Sequence, residues 1–369
     1  MSADTIHNPA AAITGLWKCP VTGNALAYVE KDELERILSF PGLQMPGKPD
    51  GGLIDSSRQY FYPVIGEIFL LLDRYAIFLG PAPDLRKGMS FDKKRVFDYY
   101  NEVAYAIRDS LNIYEDSPKW VDFREVSSEY IRHSFTRAAR YYPSGGKYIL
   151  DVASGPIGLP EYMALSEGYE YRICMDISVN ALLQAKHNME NAGLKGIFVC
   201  GDITNIPMQD NVADTVLSQH TLYHIPRNEQ ARAVNEMYRV ARTGAKIVIV
   251  YNWFFHSWFM NISLHVIQLY RIARHLAGKL YVRMFRSKPW LYFYTHSPRW
   301  FRRSFAFGSD IEFYCWRSVN KYFLDLYIHK WLGGEKFLGW LQRMEAKYPR
   351  FMGTFGDYPV IVITKQKKA

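Results

Sequence analysis

Cysteine is scarce in this sequence of 369 residues, and the few that occur are scattered. The four cysteines, at positions 19, 174, 200 and 315, form no C-x-x-C pair, which argues against a disulfide framework and against an all-cysteine zinc site. A secretory signal is also lacking, because the first 20 residues have neither a basic start nor an apolar core. The longest uncharged stretch, residues 247–270, contains five Asn, His and Gln residues and is too polar for a membrane span. These absences predict a cytoplasmic protein that is soluble or lies on a membrane surface.

Acidic residues are few in one part of the chain, and that part carries the positive charge. Residues 251–356 hold 16 Lys and Arg against 5 Asp and Glu, a balance of +11 where the whole chain has +9. The same segment contains 29 aromatic residues, including seven of the nine tryptophans. Such a segment is typical of a helical subdomain with a solvated basic face, a nucleic-acid surface, an anionic-membrane surface or an apolar lid over a small-molecule site. Composition alone does not choose among these four.

From Lys147 onward, short apolar runs alternate regularly with helical segments. The predicted strands are Tyr148–Ala153, Arg172–Asp176, Gly196–Cys200, Ala213–Gln219 and Lys246–Tyr251. The predicted helices between them are Leu159–Gly168, Val179–Ala192 and Pro226–Ala241. This alternation predicts an α/β fold in which a parallel sheet carries helices on both faces. Ligands of such sheets bind at the carboxyl ends of the strands.

Acidic and small residues follow the predicted strands at this edge. The first strand runs into a small-residue turn over residues 151–158, where the backbone can approach a ligand closely. The second strand ends in Asp176, whose carboxylate can accept hydrogen bonds from both hydroxyls of a ribose. The third is followed by Asp202 and Ile203, which offer a carboxylate to an exocyclic amine and an apolar contact to a flat ring. Three acids at successive strand ends predict an adenosine-type cofactor.

Residues 147–251 resemble a class I S-adenosylmethionine-dependent methyltransferase. The resemblance rests on the segments 149–156 (ILDVASGP), 174–178 (CMDIS), 201–203 (GDI), 214–220 (DTVLSQH) and 222–226 (LYHIP), and on the turn at 240–244. It implies a Rossmann-like seven-stranded sheet and S-adenosylmethionine as the cofactor. The cofactor residues that it implies are Asp151, Ala153, Gly155, Gly158, Asp176, Ile177, Asp202, Ile203 and Gln219. The sequence departs from the family at Ala153 and Ile157, where glycine is usual.

The N-terminal part resembles a second family. Residues 16–23 (LWKCPVTG) and 62–68 (YPVIGEI) are similar to the small zinc-ribbon domain that activates tRNA and release-factor methyltransferases. That ribbon needs two cysteine pairs, but Thr22 stands three residues after Cys19, and Ser56 and Ser57 have no cysteine near them. Because a tetrahedral zinc site requires four ligands, we expect a β-rich unit that binds no metal.

These patterns divide the chain into five predicted parts. They are a degenerate zinc-ribbon-like domain at 1–80, a helical linker that caps the cofactor at 81–145, the S-adenosylmethionine-binding core at 146–251, an aromatic and basic substrate lid at 252–309, and C-terminal elements at 310–369. The linker is predicted to contain the helices Arg95–Ile107 and Val126–Tyr142. The last part is predicted to contain a strand pair, Asp310–Trp316 and Tyr358–Thr364, and the helices Val319–Trp331 and Glu335–Lys347. The lid is thus an aromatic-rich helical insertion.

The candidate catalytic residues follow the fourth predicted strand. His220, Tyr223 and His224 could remove a proton from the acceptor, although a histidine here could equally orient a ligand or pack against the next helix. Tyr100, Trp253 and Phe254 are the candidate acceptor-binding residues. We expect O- or C-methylation of a small apolar, aromatic or lipid-like metabolite, with peripheral contact to an anionic membrane as a further expectation.

Two other function classes stay open at this stage. An RNA methyltransferase would explain the basic charge, but the chain lacks the Asn/Asp-Pro-Pro-Tyr type of motif after the fourth strand, which disfavours nucleic acid as a partner. A non-catalytic S-adenosylmethionine-binding scaffold would explain Ala153 and Ile157, but the presence of Asp176 and Asp202 argues against it.

Overall fold

A computed structural model describes residues 13, 15–39, 47–81, 83–104, 107–108, 113–114, 121–285 and 291–367 of the chain. Its strands are β1 (Leu26–Tyr28), β2 (Gly51–Asp55), β3 (Tyr60–Ile65), β4 (Ile68–Leu70), β5 (Ile77–Phe78), β6 (Ile107–Arg108), β7 (Ile113–Tyr114), β8 (Gly146–Val152), β9 (Tyr169–Asp176), β10 (Gly196–Cys200), β11 (Ala213–Gln219), β12 (Ala241–Val250), β13 (Ile311–Arg317) and β14 (Tyr358–Thr364). Its α-helices are α1 (Lys31–Leu38), α2 (Phe91–Tyr99), α3 (Glu125–Phe135), α4 (Pro160–Met163), α5 (Val179–Asn191), α6 (Gln230–Val240), α7 (Trp258–Ser263), α8 (His265–Phe285), α9 (Pro298–Arg303), α10 (Lys321–Tyr327), α11 (Gly334–Lys347) and α12 (Pro349–Phe355).

The sheet has the expected seven-stranded part. Strands β10, β9, β8, β11 and β12 are parallel neighbours in that order, and β14 and β13 complete the sheet as an antiparallel pair. Both faces of the central strands are buried, as in β8 and β12, because helices cover the two sides. The predicted α/β class is confirmed.

The strands of the N-terminal part extend this sheet. Strands β1 to β4 form an antiparallel meander, and β4 then pairs in parallel with β10, so that Ile68 faces Phe198 and Leu70 faces Cys200. The apolar run from Phe61 to Leu72 is two strands with a turn at Gly66 and Glu67, both of which have positive φ. Before β1, Trp17 and Lys18 form isolated bridges, with Met208 and Ala25 respectively.

Three predicted helices need correction. The helix expected at 95–107 begins earlier, as α2, and ends in a π-helical turn over Tyr100–Ala104. The helix expected at 126–142 is α3 followed by a 3₁₀ segment, Arg137–Tyr141. The helix expected from Pro226 begins at Gln230, and its end passes directly into β12, where Gly244 has a positive φ inside the strand.

The longest helix, α8, carries polar and charged residues at intervals along its 21 residues. Among the described residues, no helix has both the length and the apolar character required to cross a bilayer.

Candidate functional site

The turn after β8 adopts an unusual backbone. Ala153, Gly155 and Ile157 have φ values of +58°, +59° and +46°, so every second residue lies in the left-handed region. Glycine enters this region freely, whereas a β-branched residue such as isoleucine enters it only at a cost. The turn nevertheless closes tightly, because the Ser154 N–H donates to the Met175 carbonyl (3.1 Å) and Ile157 is buried. Ala153 and Ile157 therefore adopt the left-handed backbone conformation that glycine would adopt at these positions.

Asp176 stands at the carboxyl end of β9, directly beside this turn. Its carboxylate accepts the Gly155 N–H and the Ser178 N–H, each at 2.9 Å, and the residue is 4% exposed. Burial raises the pKa of Asp176 to about 6, and the two backbone donors oppose that rise. The oxygen lone pairs that these donors leave unused can receive two further hydroxyl groups.

Asp202 lies at the end of β10 and belongs to a charged cluster that includes α2. Its carboxylate accepts the Thr204 N–H (2.8 Å) and hydroxyl (2.9 Å), and forms an ion pair with Lys93 Nζ (2.7 Å). The same ammonium contacts Glu229 at 2.5 Å. Lys93 therefore ties α2 to the carboxyl edge of the sheet, beside the cavity that Ile177 and Ile203 line.

Two adjoining cavities run along this edge. The smaller one is lined by polar and apolar residues of the strand ends and of α2, including Lys93, Tyr100, Asp176, Ile177, Asp202, Ile203 and His224. The larger one, of about 990 Å³, is lined by Asp151, Gly155, Gly158, Gln219, His220 and by apolar side chains of α3 and α4. Tyr100, Ala153 and Thr221 line both cavities. The residues expected to bind the cofactor thus form the walls of one continuous cleft.

Asp151 is neutralised within the protein. Its carboxylate forms a buried ion pair with Arg172 of β9, whose Nη1 also donates to the Tyr162 carbonyl at 2.5 Å. Both members of the pair line the larger cavity. The pair fixes the start of the turn after β8, because it joins the end of β8 to β9 and to α4.

The three candidate catalytic residues lie in different surroundings. His220, with a φ of +57°, packs its ring on Trp316 (4.5 Å between centroids) and Tyr358 (5.7 Å), at the wall of the larger cavity. Burial, followed by the charges of Arg317 and His224, lowers the pKa of His220 to about 3. His224 faces the smaller cavity and shares a 2.8 Å hydrogen bond between Nδ1 and the Tyr292 carbonyl. Tyr223 is buried against Tyr251 and Phe293, and burial raises its pKa well above the usual value.

The expected acceptor residues are only partly at the cleft. Tyr100 lines both cavities, and its contact with an acceptor stays a prediction. Trp253 needs correction, because its side chain is fully buried among Tyr251, Phe301 and Phe313 and its indole N–H donates to the Gly353 carbonyl at 2.8 Å. Trp253 is therefore a core residue. Phe254 lines neither cavity and packs on Phe293, which also packs on Tyr223.

Sequence reasoning missed three charged residues at or beside the cleft. Lys93 and Arg172 line its two cavities, and Glu229 forms an ion pair with Lys93. Arg172 had a signal, because an arginine in a buried strand needs a counter-ion and Asp151 is an acid on the predicted neighbouring strand. No sequence pattern indicated Lys93 or Glu229, since each lies in a polar segment that is separated from Asp202 along the chain.

Cys19, the cysteine of the zinc-ribbon resemblance, lies buried away from the cleft. Its Sγ is 3.3 Å from the Tyr62 hydroxyl and receives the Thr22 N–H at 3.3 Å. In the described part of the chain, no three His, Cys, Asp or Glu side chains cluster as they would around a metal ion. The expectation that the N-terminal part binds no metal stays a prediction.

Residues 150–249 match the family described as a methyltransferase domain. The chain contains a class I S-adenosylmethionine-dependent methyltransferase domain. The matched segment runs from β8 to the end of β12, and it includes the turn, Asp176, Asp202 and His220. The predicted enzyme class and the predicted cofactor, S-adenosylmethionine, are confirmed.

Several solved structures are similar to this methyltransferase. The YcgJ protein of Bacillus subtilis is 18% identical over 33% of this chain and 51% of that chain, with a TM-score of 0.30, so the chain spans about half the length of that protein. A complex of the Haloferax volcanii Trm112 methyltransferase activator with a methyltransferase is 13% identical over 66% of this chain and 92% of that chain, with a TM-score of 0.40. A Methanococcus maripaludis protein named as an S-adenosyl-L-methionine-dependent methyltransferase is 19% identical over 66% and 91%, with a TM-score of 0.34. No curated protein sequence matches this chain.

Proposed function

We propose that the protein transfers the methyl group of S-adenosylmethionine to an oxygen or carbon atom of a small apolar or aromatic acceptor. The observation that supports this most is the pair of cavities that meet at Tyr100, Ala153 and Thr221. The larger cavity, of about 990 Å³, has a wall that includes Ile131, Phe135 and Tyr162. A concave, mostly apolar site of this size suits a small molecule.

The residues of the cleft fit the cofactor. The Asp176 carboxylate is suited to a ribose, and Gln219 Oε1 is a buried acceptor at the larger cavity without a hydrogen-bond partner among the described residues. When bound, S-adenosylmethionine supplies a methyl group on a sulfonium centre. The contribution of this chain is to hold the ribose at Asp176, to keep the acceptor against the shared wall at Tyr100, and to exclude water there. Such positioning can supply several kcal/mol of the barrier.

The surroundings of His220 favour an acceptor that loses its proton easily. A pKa of about 3 leaves His220 neutral near pH 7, so the imidazole can accept a hydrogen bond but retains a transferred proton only weakly. A phenol, an enol or an activated C–H group is therefore a better substrate than an alkanol. The His220→Asn variant, which keeps a hydrogen-bond acceptor, should retain more activity than His220→Ala.

The experiment that tests the proposal is methyl incorporation from isotope-labelled S-adenosylmethionine into cell extract. We expect the label in the small-molecule fraction, and we expect Asp176→Ala to abolish most of it. Label in RNA, or label in no fraction although S-adenosylhomocysteine binds, would contradict the proposal.

A second proposal concerns where the enzyme works. Helix α8 has four basic and no acidic residues, and it exposes a series of large apolar side chains, namely Val266, Leu269, Tyr270, Ile272, Leu276, Leu280, Tyr281 and Met284. Exposed aromatic residues continue this surface on α7 and α12, where Trp258 contacts Phe355. A cationic helix with exposed apolar residues is suited to an anionic membrane surface. We infer that α8 rests on such a surface and that the acceptor is then lipid-like; binding to anionic vesicles tests this.

A further inference from the structure

A cavity outside the cofactor cleft collects the arginines of α9. This arginine cavity, of about 500 Å³, is lined by Arg299, Arg302 and Arg303. The exposed rings of Trp258 on α7 and Phe355 on α12 form another part of its wall. All three arginines are exposed, and none forms an ion pair with a residue that the structure describes. The cavity is therefore suited to an anion.

A second cavity is formed by α8 and residues 293–295. This α8 cavity, of about 700 Å³, has Leu269, Ile272 and Leu276 on the side of the helix and Phe293 on the other side. The three aliphatic side chains belong to the exposed apolar surface of α8. A concave wall of aliphatic and aromatic side chains with this volume suits an apolar chain.

The two cavities adjoin each other. His256 lines both of them, and one stretch of the chain continues from one to the other, because residues 293–295 line the α8 cavity and residues 297–299 line the arginine cavity. Among the residues that the structure describes, no aspartate or glutamate lines either cavity. A single molecule with an anionic head and an apolar chain can therefore occupy both.

The combination of a cationic cavity with an apolar one favours a lipid over a nucleic acid. Single-stranded nucleic acid binds along basic grooves in which bases stack on aromatic rings, and it would leave the aliphatic wall at Leu269 and Leu276 unoccupied. A phospholipid fills both cavities. Its phosphate can accept parallel N–H groups from guanidinium side chains, and its hydrocarbon chain gains from burial against α8.

We propose that the arginine cavity and the α8 cavity together form a binding site for one anionic phospholipid. The phosphate is held by Arg299, Arg302 and Arg303, and the chain lies along α8. The site is separate from the cofactor cleft, because the two have no lining residue in common. This proposal rests on the proposed contact of α8 with an anionic membrane, and it names the lipid chemistry that the contact recognises.

The test is a calorimetric titration of the full chain with three probes, each kept below its micelle concentration. Lauroyl lysophosphatidate has head and chain, lauroyl lysophosphatidylcholine has the same chain with a zwitterionic head, and glycerol phosphate has the head alone. We expect lysophosphatidate to bind about tenfold or more tightly than lysophosphatidylcholine, because the choline cation opposes the contact of the phosphate with the arginines. Glycerol phosphate should bind about 100-fold or more weakly than lysophosphatidate, because it buries no hydrocarbon.

Single substitutions test the head and the chain separately. Arg303→Gln should weaken lysophosphatidate about fivefold and leave lysophosphatidylcholine nearly unchanged. Arg140→Gln removes the same charge from an exposed arginine outside the cavity and should weaken neither. Leu276→Asn should weaken both lysolipids about fivefold, since it replaces an apolar wall with an amide. Leu280→Asn is its control, because Leu280 is as exposed on α8 (58% against 59%) but does not line the cavity. All four variants should keep the S-adenosylhomocysteine affinity of the wild type, which shows that they fold.

Several results would overturn the lipid site. They are equal binding of the two lysolipids to the wild type, glycerol phosphate binding as tightly as lysophosphatidate, and an equal loss in Arg303→Gln and Arg140→Gln. Displacement of lysophosphatidate by a lower concentration of a single-stranded oligonucleotide would assign the arginines to nucleic acid. If lysophosphatidate does not bind while anionic vesicles do, this site fails and the membrane contact stands. The methyl transfer has its own test in the labelling experiment.

Discussion

At the scale of the residue, we expect Asp176 to give the proposed cofactor site a pH dependence. Only the ionised carboxylate can accept two ribose hydroxyls in addition to the Gly155 and Ser178 N–H groups. Because the pKa of Asp176 is about 6, the affinity for S-adenosylhomocysteine should fall as the pH drops below about 6, approaching tenfold per pH unit. Calorimetry between about pH 5 and pH 8 measures this. Asp176→Asn should bind more weakly, with a flat profile, and a flat wild-type profile would contradict the assignment.

Single residues of the site differ in how far the sequence could predict them. Asp176 and Asp202 were predictable, because each follows a short apolar run whose strand character is local. The ion pairs that complete the site were not, since Lys93 reaches Asp202 across 109 positions and Glu229 joins them from a third segment. Trp253 was misplaced for a related reason: its position after β12 was predicted correctly, but its neighbours Phe301 and Phe313 come from later elements.

At the scale of the element, the turn after β8 stores backbone strain at Ala153 and Ile157. An alanine held in the left-handed region lowers the free energy of unfolding by about 1–2 kcal/mol. Glycine removes this strain, but it loses more backbone entropy on folding, which offsets about 0.5–1 kcal/mol of the gain. Ala153→Gly should therefore raise the free energy of unfolding by about 0.5 kcal/mol. Ile157→Gly relieves similar strain but removes a buried side chain, so it should lower that free energy by about 2 kcal/mol. Urea unfolding of the two variants checks both signs, and destabilisation by Ala153→Gly would show that the turn is not strained there.

Elements with a local pattern were predicted well, and those that depend on distant partners were not. The bounds of β10, β11 and β14 agree with the prediction, because each is a short apolar run bounded by polar or turn residues. The pairing of β4 with β10 joins residues about 130 positions apart, and neither segment has a sequence feature that indicates its partner. The π-helical turn at Tyr100–Ala104 continues a helical pattern in the sequence, which is why the predicted helix ran past it.

At the scale of the whole molecule, charge and exposed apolar surface coincide. The chain outside residues 251–356 has a net charge near zero, whereas that segment carries +11 and includes α7, α8 and α12. Large exposed apolar side chains are concentrated in the same segment, among them Trp258, Leu280, Trp331 and Phe351. A surface that is both basic and apolar gains from an anionic bilayer in two ways, since the charges meet lipid headgroups and the side chains enter the interface.

The two contributions make the membrane proposal testable by vesicle co-sedimentation. Binding should require anionic lipid and should weaken, without vanishing, as the ionic strength rises, because salt screens the charges but not the apolar contacts. Leu280→Glu on α8 should weaken binding about tenfold, since burial of a leucine at the interface contributes about 1.5–3 kcal/mol. Leu85→Glu is the matched control, because Leu85 is exposed to a similar extent but lies outside this basic segment. Equal binding to neutral and anionic vesicles, or an equal loss in both variants, would show that α8 is not the membrane-binding element.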